Sequence, residues 1–268
     1  MRIDFTFKEK YNIQDLLDIM QLLRGEGGCP WDREQTHHSI RKNLIEETYE
    51  VAEAIDNGDT ALLCEELGDL LLQVVFHTQM EKEQGSFDFD DVCNGICQKL
   101  IERHPHIFAD VAATTAAQVL SNWEDIKKRQ KGKATATETL RSVPKVLPAL
   151  MRATKVQSRA AKAGFDYPDA RWAFSDLCSE VEELRQALAS RDKLAQQEEL
   201  GDLLFSAVNV ARFLETDPEE ALSKSCEKFI RRFEQVETMA LAQGIDIKQC
   251  SIDQLNTLWQ QAKTVTQN

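Results

Sequence analysis

The seven cysteines (29, 64, 93, 97, 178, 226 and 250) form no CxxC pair and no zinc spacing with the five histidines. An odd count also argues against a complete disulfide framework, so reduced thiols in a cytosol are expected. Long apolar runs are missing too: LLLQVVF is the longest and is far too short to cross a bilayer. The opening residues, MRIDFTFKEKYNIQDLL, carry charge throughout and have no apolar core of a signal peptide. The expectation is a soluble, cytoplasmic protein with no membrane partner. No G-x-x-x-x-G-K-[ST] loop and no G-x-G-x-x-G after a strand occur, which excludes a P-loop enzyme and a dinucleotide fold. No stretch alternates convincingly as a strand, and the spacing points to an all-α protein. Basic excess is likewise absent: the formal charge is −13, which argues against a nucleic-acid partner.

What the chain does have is acid in a repeated pattern. Glu47 and Glu50 stand three apart in LIEETYEVAEAI, and Glu66 and Asp69 stand three apart in EELGDLLLQVV. Each pair therefore lies on one face of its helix. Shifted by 133 residues the pattern recurs as Glu180, Glu183, Glu199 and Asp202, with ELGDLL identical in both copies. A repeat at that offset divides the 268 residues into two units of ordinary domain size. We expect an N-terminal domain over 1–130, a linker over 131–143 and a C-terminal domain over 144–268, each built on a four-helix core. The charge is unevenly shared. Residues 1–130 hold 13 Lys+Arg against 25 Asp+Glu, net −12, and residues 131–268 hold 19 against 20, net −1.

In chain order, apolar spacing predicts helices over 13–23, 36–55, 60–82 and 87–103, the last stopped at His104-Pro105-His106. His104 and His106 are spaced poorly for ligation and are read as structural. GEGGCPWD interrupts the first two helices, with Trp31 expected to plug the bundle and Asp32 to cap or bond locally. A short charged helix carrying Trp123 is expected over 118–129, followed by the small, polar KGKATATETL. The second half restarts with a helix opened by Leu147, Leu150, Met151 and Ala153. GFDY at 164–167 takes the place of CPWD, and helices are expected over 172–190, 194–214, 218–243 and 252–265. Arg152, Lys155, Arg159 and Lys162 fall on one face of the second half's first helix, either as a solvated stripe or as a phosphate-facing one.

Two helices joined by a short turn bring four carboxylates to one point. Unpaired, they repel one another and raise their own pKa values, so a cluster kept ionised calls for a cation. The aspartate of ELGDLL sits in an apolar run, where a lone carboxylate is costly, and the cost is repeated in both copies. Oxygen-only ligands suit a hard divalent ion, Mg2+ with Mn2+ as the alternative. Bound metal with nearby Lys and Arg points to a phosphorylated substrate and to water attacking phosphorus in line.

The pattern EExxE followed by ExxD, here Glu46, Glu47, Glu50, Glu66 and Asp69, resembles the MazG family of nucleoside triphosphate pyrophosphohydrolases. GCPWDREQT, ERHPHIF, LPALMRA, AGFDY and EKFIRRF extend that resemblance to two-domain members over nearly the whole chain. It implies all-α domains that form a homodimer, Mg2+ dependence, and cleavage of nucleoside triphosphates to monophosphate and pyrophosphate. It further implies Glu180, Glu183, Glu199 and Asp202 as the catalytic metal ligands, with Glu47, Glu50, Glu66 and Asp69 as their N-terminal counterparts. Lys228 and Arg232 carry over as phosphate contacts and Trp259 as a base-side neighbour; Asp176, Glu180, Glu198 and Asp202, and from the basic stripe Arg152 and Lys155, complete the expected substrate contacts. The resemblance also makes the second domain the active one. Ser179 stands where the leading Glu of EExxE is expected, leaving Glu182 or Glu198 to replace that carboxylate. A nucleotide-binding module without turnover and a purely structural helical dimeriser stay open on the residues alone; the first could lose a carboxylate and the second would not need ELGD in both halves, yet neither copy has lost one of its four ligands.

Overall fold

The computed structural model describes residues 5–109, 115, 118–119 and 135–266 and divides into two compact units, Met1–Gln130 and Lys131–Asn268. Among the described residues there are twelve α-helices, one short 3-10 turn and no strand, so the fold is a tandem of all-α repeats. None of these helices is long and apolar enough to cross a membrane. The helix expected over 118–129 with Trp123 lies, apart from residues 118 and 119, outside the described residues, as does 131–134 of the expected linker.

The first unit contains α1 (Ile13–Arg24), α2 (Pro30–Glu34), α3 (Arg41–Asn57), α4 (Thr60–Gln84), α5 (Phe89–Arg103) and α6 (Pro105–Phe108). Helix α1 starts where spacing predicts because Asn12 and Asp15 form a capping box. Its apolar face meets α4 and buries Met20, Ile40, Val75, Phe76 and Met80, each worth about 1.5–3 kcal/mol of removed apolar surface where the side chain is large. Helix α3 begins at Arg41, later than Thr36 as expected. Thr36 N–H donates to Ser39 Oγ at 2.9 Å and Ser39 N–H to Thr36 Oγ1 at 3.2 Å, so hydroxyls hold 36–39 in a turn of its own. Trp31 does not plug the bundle. Pro30 starts the short α2 instead, leaving Trp31 58 % exposed, and Arg24 occupies the interior by donating to the carbonyls of Asp32 and Gln35 and to Glu83 at 2.7 Å.

The second unit contains α7 (Ala136–Arg141), α8 (Ala149–Lys162), α9 (Ala170–Ser190), α10 (Lys193–Phe213), α11 (Pro218–Ala242) and α12 (Ile252–Val265). Residues 135–143, read from their small polar composition as part of a linker, are largely helical. Thr135 and Glu138 form a capping box, and Arg159 Nη1 ties α7 to α8 through the Thr139 carbonyl and, at 2.7 Å, Ser142 Oγ. Helices α11 and α12 bury Val236, Ala240, Leu258 and Ala262 between them.

In both units the acidic helices are consecutive and closed by a tight turn. Ala54 on α3 and the matching Ala187 on α9 are buried, and their small side chains let each pair approach closely. Gly58 takes φ 65°, donates to the Ile55 carbonyl at 3.1 Å, and is followed by Asp59, which caps α4. The second copy places Arg191 at the same position with φ 60°, followed by the cap Asp192. A left-handed non-glycine residue costs roughly 1 kcal/mol. Arg191→Gly is therefore expected to stabilise the second unit by about 0.5–1 kcal/mol, read from the urea midpoint, and Gly58→Ala to destabilise the first.

Candidate active site

Each helix pair brings carboxylates together from two elements. Glu47 on α3 meets Glu66 and Asp69 on α4, and Glu180 on α9 meets Glu199 and Asp202 on α10; in each trio one oxygen per residue lies within 4.8 Å of the others. Neither aspartate is buried, contrary to the expectation from the apolar run. The leucines of ELGDLL explain why: Leu67 and Leu71, and Leu200 and Leu204, are themselves exposed, so the run is not a core stripe there.

The expected fourth ligands, Glu50 and Glu183, stand beside the trios and not among them. Glu50 is close enough to Glu47 to help hold its pKa up, after desolvation, and Glu183 accepts from Ser179 Oγ at 3.2 Å. The electrostatics match a crowded cluster. Glu47, Glu66, Glu180 and Glu199 all titrate above the ordinary glutamate value, first because each is partly desolvated and then because neighbouring carboxylates repel it. These are hard oxygen donors in a number and spacing that could hold a metal ion.

The remaining expected residues are more dispersed. Arg152, Lys155, Glu198 and Lys228 are exposed. Arg232 donates to Thr266 Oγ1 at 3.3 Å, and Trp259 packs 5.1 Å from Phe229 against the α11–α12 core. His104 and His106 lie 5.5 Å apart, with His104 Nδ1 at 2.6 Å from the Leu100 carbonyl.

A family model described as the MazG nucleotide pyrophosphohydrolase domain matches residues 35–108 and 173–237, the two segments that carry the trios. The chain is 46 % identical over 256 residues to a protein of Escherichia coli K12 named nucleoside triphosphate pyrophosphohydrolase, covering 94 % of this chain and 97 % of that one. It is 42 % identical over 250 residues to the Thermotoga maritima nucleoside triphosphate pyrophosphohydrolase/pyrophosphatase MazG, covering 93 % and 95 %. A Bacillus subtilis protein, YabN, is 46 % identical over 246 residues, 91 % of this chain and 50 % of that one. The chain belongs to the MazG family.

The matched MazG segments do not include the loop before α9, which shapes the ground beside the second trio. Just past the end of α8, Gly164 takes a φ of +91° that suits glycine alone, and Phe165 N–H turns back to the Ala160 carbonyl at 3.0 Å. Asp166 then receives both arms of Arg212, one at 3.0 Å, and Tyr167 donates its hydroxyl to Asp176 Oδ1 at 2.8 Å. Ser206 takes the other Asp176 oxygen at 2.8 Å. Asp176, one turn before Glu180, is thus already doubly bonded, and its bond pushes the Tyr167 phenol above its usual value. Between α8, this loop, α9 and α10 lies a cavity of about 430 Å3. Gln157, Ser206, Asn209 and Arg212, which line it, are not singled out by motif or spacing. The available signal is the broken apolar pattern of α10, where Ser206 and Asn209 stand at the positions of Gln73 and Phe76.

Arg212 holds the Asp166 carboxyl below the ordinary aspartate value. Its stabilising effect is complete above that ordinary value and is lost as pH falls through the lowered one. Asp166→Asn is expected to lower stability by about 1 kcal/mol near neutral pH, with the difference from wild type vanishing in strong acid, as followed by denaturant unfolding across pH.

Proposed function

We propose that this protein is a divalent-metal-dependent nucleoside triphosphate pyrophosphohydrolase, converting NTPs or dNTPs to the monophosphate and pyrophosphate. The observation that carries the reading is the pair of carboxylate trios on facing helices, each within 4.8 Å. The names of the E. coli and T. maritima relatives support the same chemistry. The donor set fits Mg2+ or Mn2+: oxygen only, with Glu180 and Glu199 pKa values raised first by desolvation and then by a repulsion that a divalent cation relieves. When bound, such an ion would neutralise phosphate oxygens and ease deprotonation of water.

The chain's own groups have distinct tasks. Glu180, Glu199 and Asp202, with Glu183 adjacent, hold the cation; Glu47, Glu50, Glu66 and Asp69 are their N-terminal counterparts. Arg152, Lys155, Lys228 and Arg232 offset the roughly four negative charges of the triphosphate, and Asp176, Glu198 and Trp259 complete the substrate contacts. Water adds to the α-phosphorus, its proton passes to a carboxylate, and the bridging bond to the β-phosphate breaks, releasing pyrophosphate. With Ser179 in the leading position, Glu198 suits the proton acceptor better than Glu182. Both Glu182 oxygens already take the Arg185 guanidinium, at 2.7 and 2.8 Å.

Charge supports the C-terminal unit as the more active one, since residues 1–130 carry net −12 and residues 131–268 net −1. Homodimerisation is supported by apolar side chains left exposed at matching places of both repeats: Leu67 and Leu200, Leu71 and Leu204, Leu100 and Phe229, Ile101 and Ile230. A two-fold axis would bury such faces. We likewise take residues 1–130 and 144–268 as the functional domains.

Pyrophosphate release from ATP or dGTP with Mg2+ is the direct test. Asp202→Ala is expected to reduce it more than about a hundredfold while far-UV circular dichroism stays helical; near-native turnover would sink the ligand assignment. Comparing single variants tests the asymmetry. Glu199→Ala should lose most activity and Glu66→Ala little, and the reverse order would assign catalysis to the first unit. Light scattering should give a dimer of the 30.5 kDa chain.

A further inference from the structure

The cavity beside the second trio joins apolar and ring surface to polar side chains, most of which are already bonded to one another. Its volume of about 430 Å3 falls in the range of about 300–1,000 Å3 that small-molecule sites occupy. Gln157 is 7 % exposed, and its Nε2 donates to the Phe205 carbonyl at 2.7 Å. A carbonyl only accepts, so that bond fixes the amide orientation and leaves Oε1 as an acceptor. Gln157 Oε1 is buried and has no hydrogen-bond partner. A buried acceptor without a donor is unfavourable and calls for a ligand that supplies one.

We infer that this cavity receives the nucleobase of the substrate, with Gln157 Oε1 accepting an N–H from the base edge, an inference that rests on the pyrophosphohydrolase reading above. The rest of the lining suits a flat, neutral, aromatic ligand. Val156, Phe205, Phe165 and Tyr167 supply apolar and ring surface, and Phe165 is 86 % exposed at the loop. A phosphate is disfavoured in the same space, because Asp166 and Asp176 line it and Arg212 is already neutralised by Asp166. The cavity and the trio share α9: Asp176 lines the former one helical turn before Glu180 of the latter. A nucleotide laid along that turn has its base in the cavity and its phosphates at the carboxylates.

The first repeat shows how the space arises. On α4 the matching positions hold Gln73 and Phe76, both buried, with Phe76 in the unit's core. On α10 they are Ser206 and Asn209, which line the cavity. Asn209 Oδ1 accepts Arg212 Nε at 3.1 Å and Nη2 at 2.9 Å, so its amide nitrogen remains as a donor.

Two variants of the full-length protein test the inference. Asn209→Phe restores the residue found in the first repeat and fills the cavity, and Gln157→Met removes the acceptor at nearly constant volume. The readout is the ratio of kcat/KM for ATP to that for ribose 5-triphosphate, which lacks a base; the ratio is independent of the fraction of protein that folds. It is expected to fall about tenfold or more in each variant. A ratio unchanged in both, with wild type active, overturns the base assignment and leaves the pyrophosphohydrolase reading standing. A wild type that cleaves neither triphosphate overturns both.

Discussion

Repulsion between like charges is the constraint around which each repeat is organised. Carboxylates from two helices are held within 4.8 Å, where their own electrostatics oppose the arrangement. The opposing force is geometric. A capped, tight turn and a buried alanine bring the helices together, and the remaining apolar contacts lie away from the acidic end. In the first unit those contacts are the Met20, Val75, Phe76 and Met80 cluster, about two turns further along α4 from Asp69. The core therefore supplies the rigidity, and the acidic end is where the electrostatic cost is held ready for a ligand.

Much of this was legible in the residues. Helical spacing located most helix starts within a few positions, because Asn12, Asp59, Asp88, Asp192, Asp217 and Ser251 are strong caps that act locally. The acidic pairs were legible for the same reason, since three-residue spacing on a helix does not depend on tertiary context. What escaped depended on contacts distant in sequence. Hydrophobicity alone points Trp31 inward, whereas Pro30 begins a helix that turns it outward and Arg24 reaches in from α1. The depth of the ELGDLL aspartates is not legible either, because an apolar run does not reveal which of its faces is covered. The late start of α3 came from hydroxyl pairing between Thr36 and Ser39, and the helix at Ala136–Arg141 from a capping box within a segment of bland composition.

The two repeats keep the same acidic geometry while their interiors have diverged. Phe76 packs where Asn209 lines open space, and Gly58 relaxes a turn that Arg191 adopts under strain. Family membership explains the shared part. The divergent part lies on α8, the GFDY loop and α10, and of these only α10 falls within the matched MazG segments.

Each acidic trio is contained in one continuous hairpin, residues 47–69 or 180–202, closed by a turn of two residues. Contacts so near in sequence form on the microsecond scale, well before distant elements dock. The charge cluster is thus assembled early, on a segment with little core of its own, and the later packing of α1 or α8 locks in a geometry already chosen. A site of this kind can be copied as a short cassette, which is a physical reason why the same four carboxylates stand in both repeats while the surrounding interior differs.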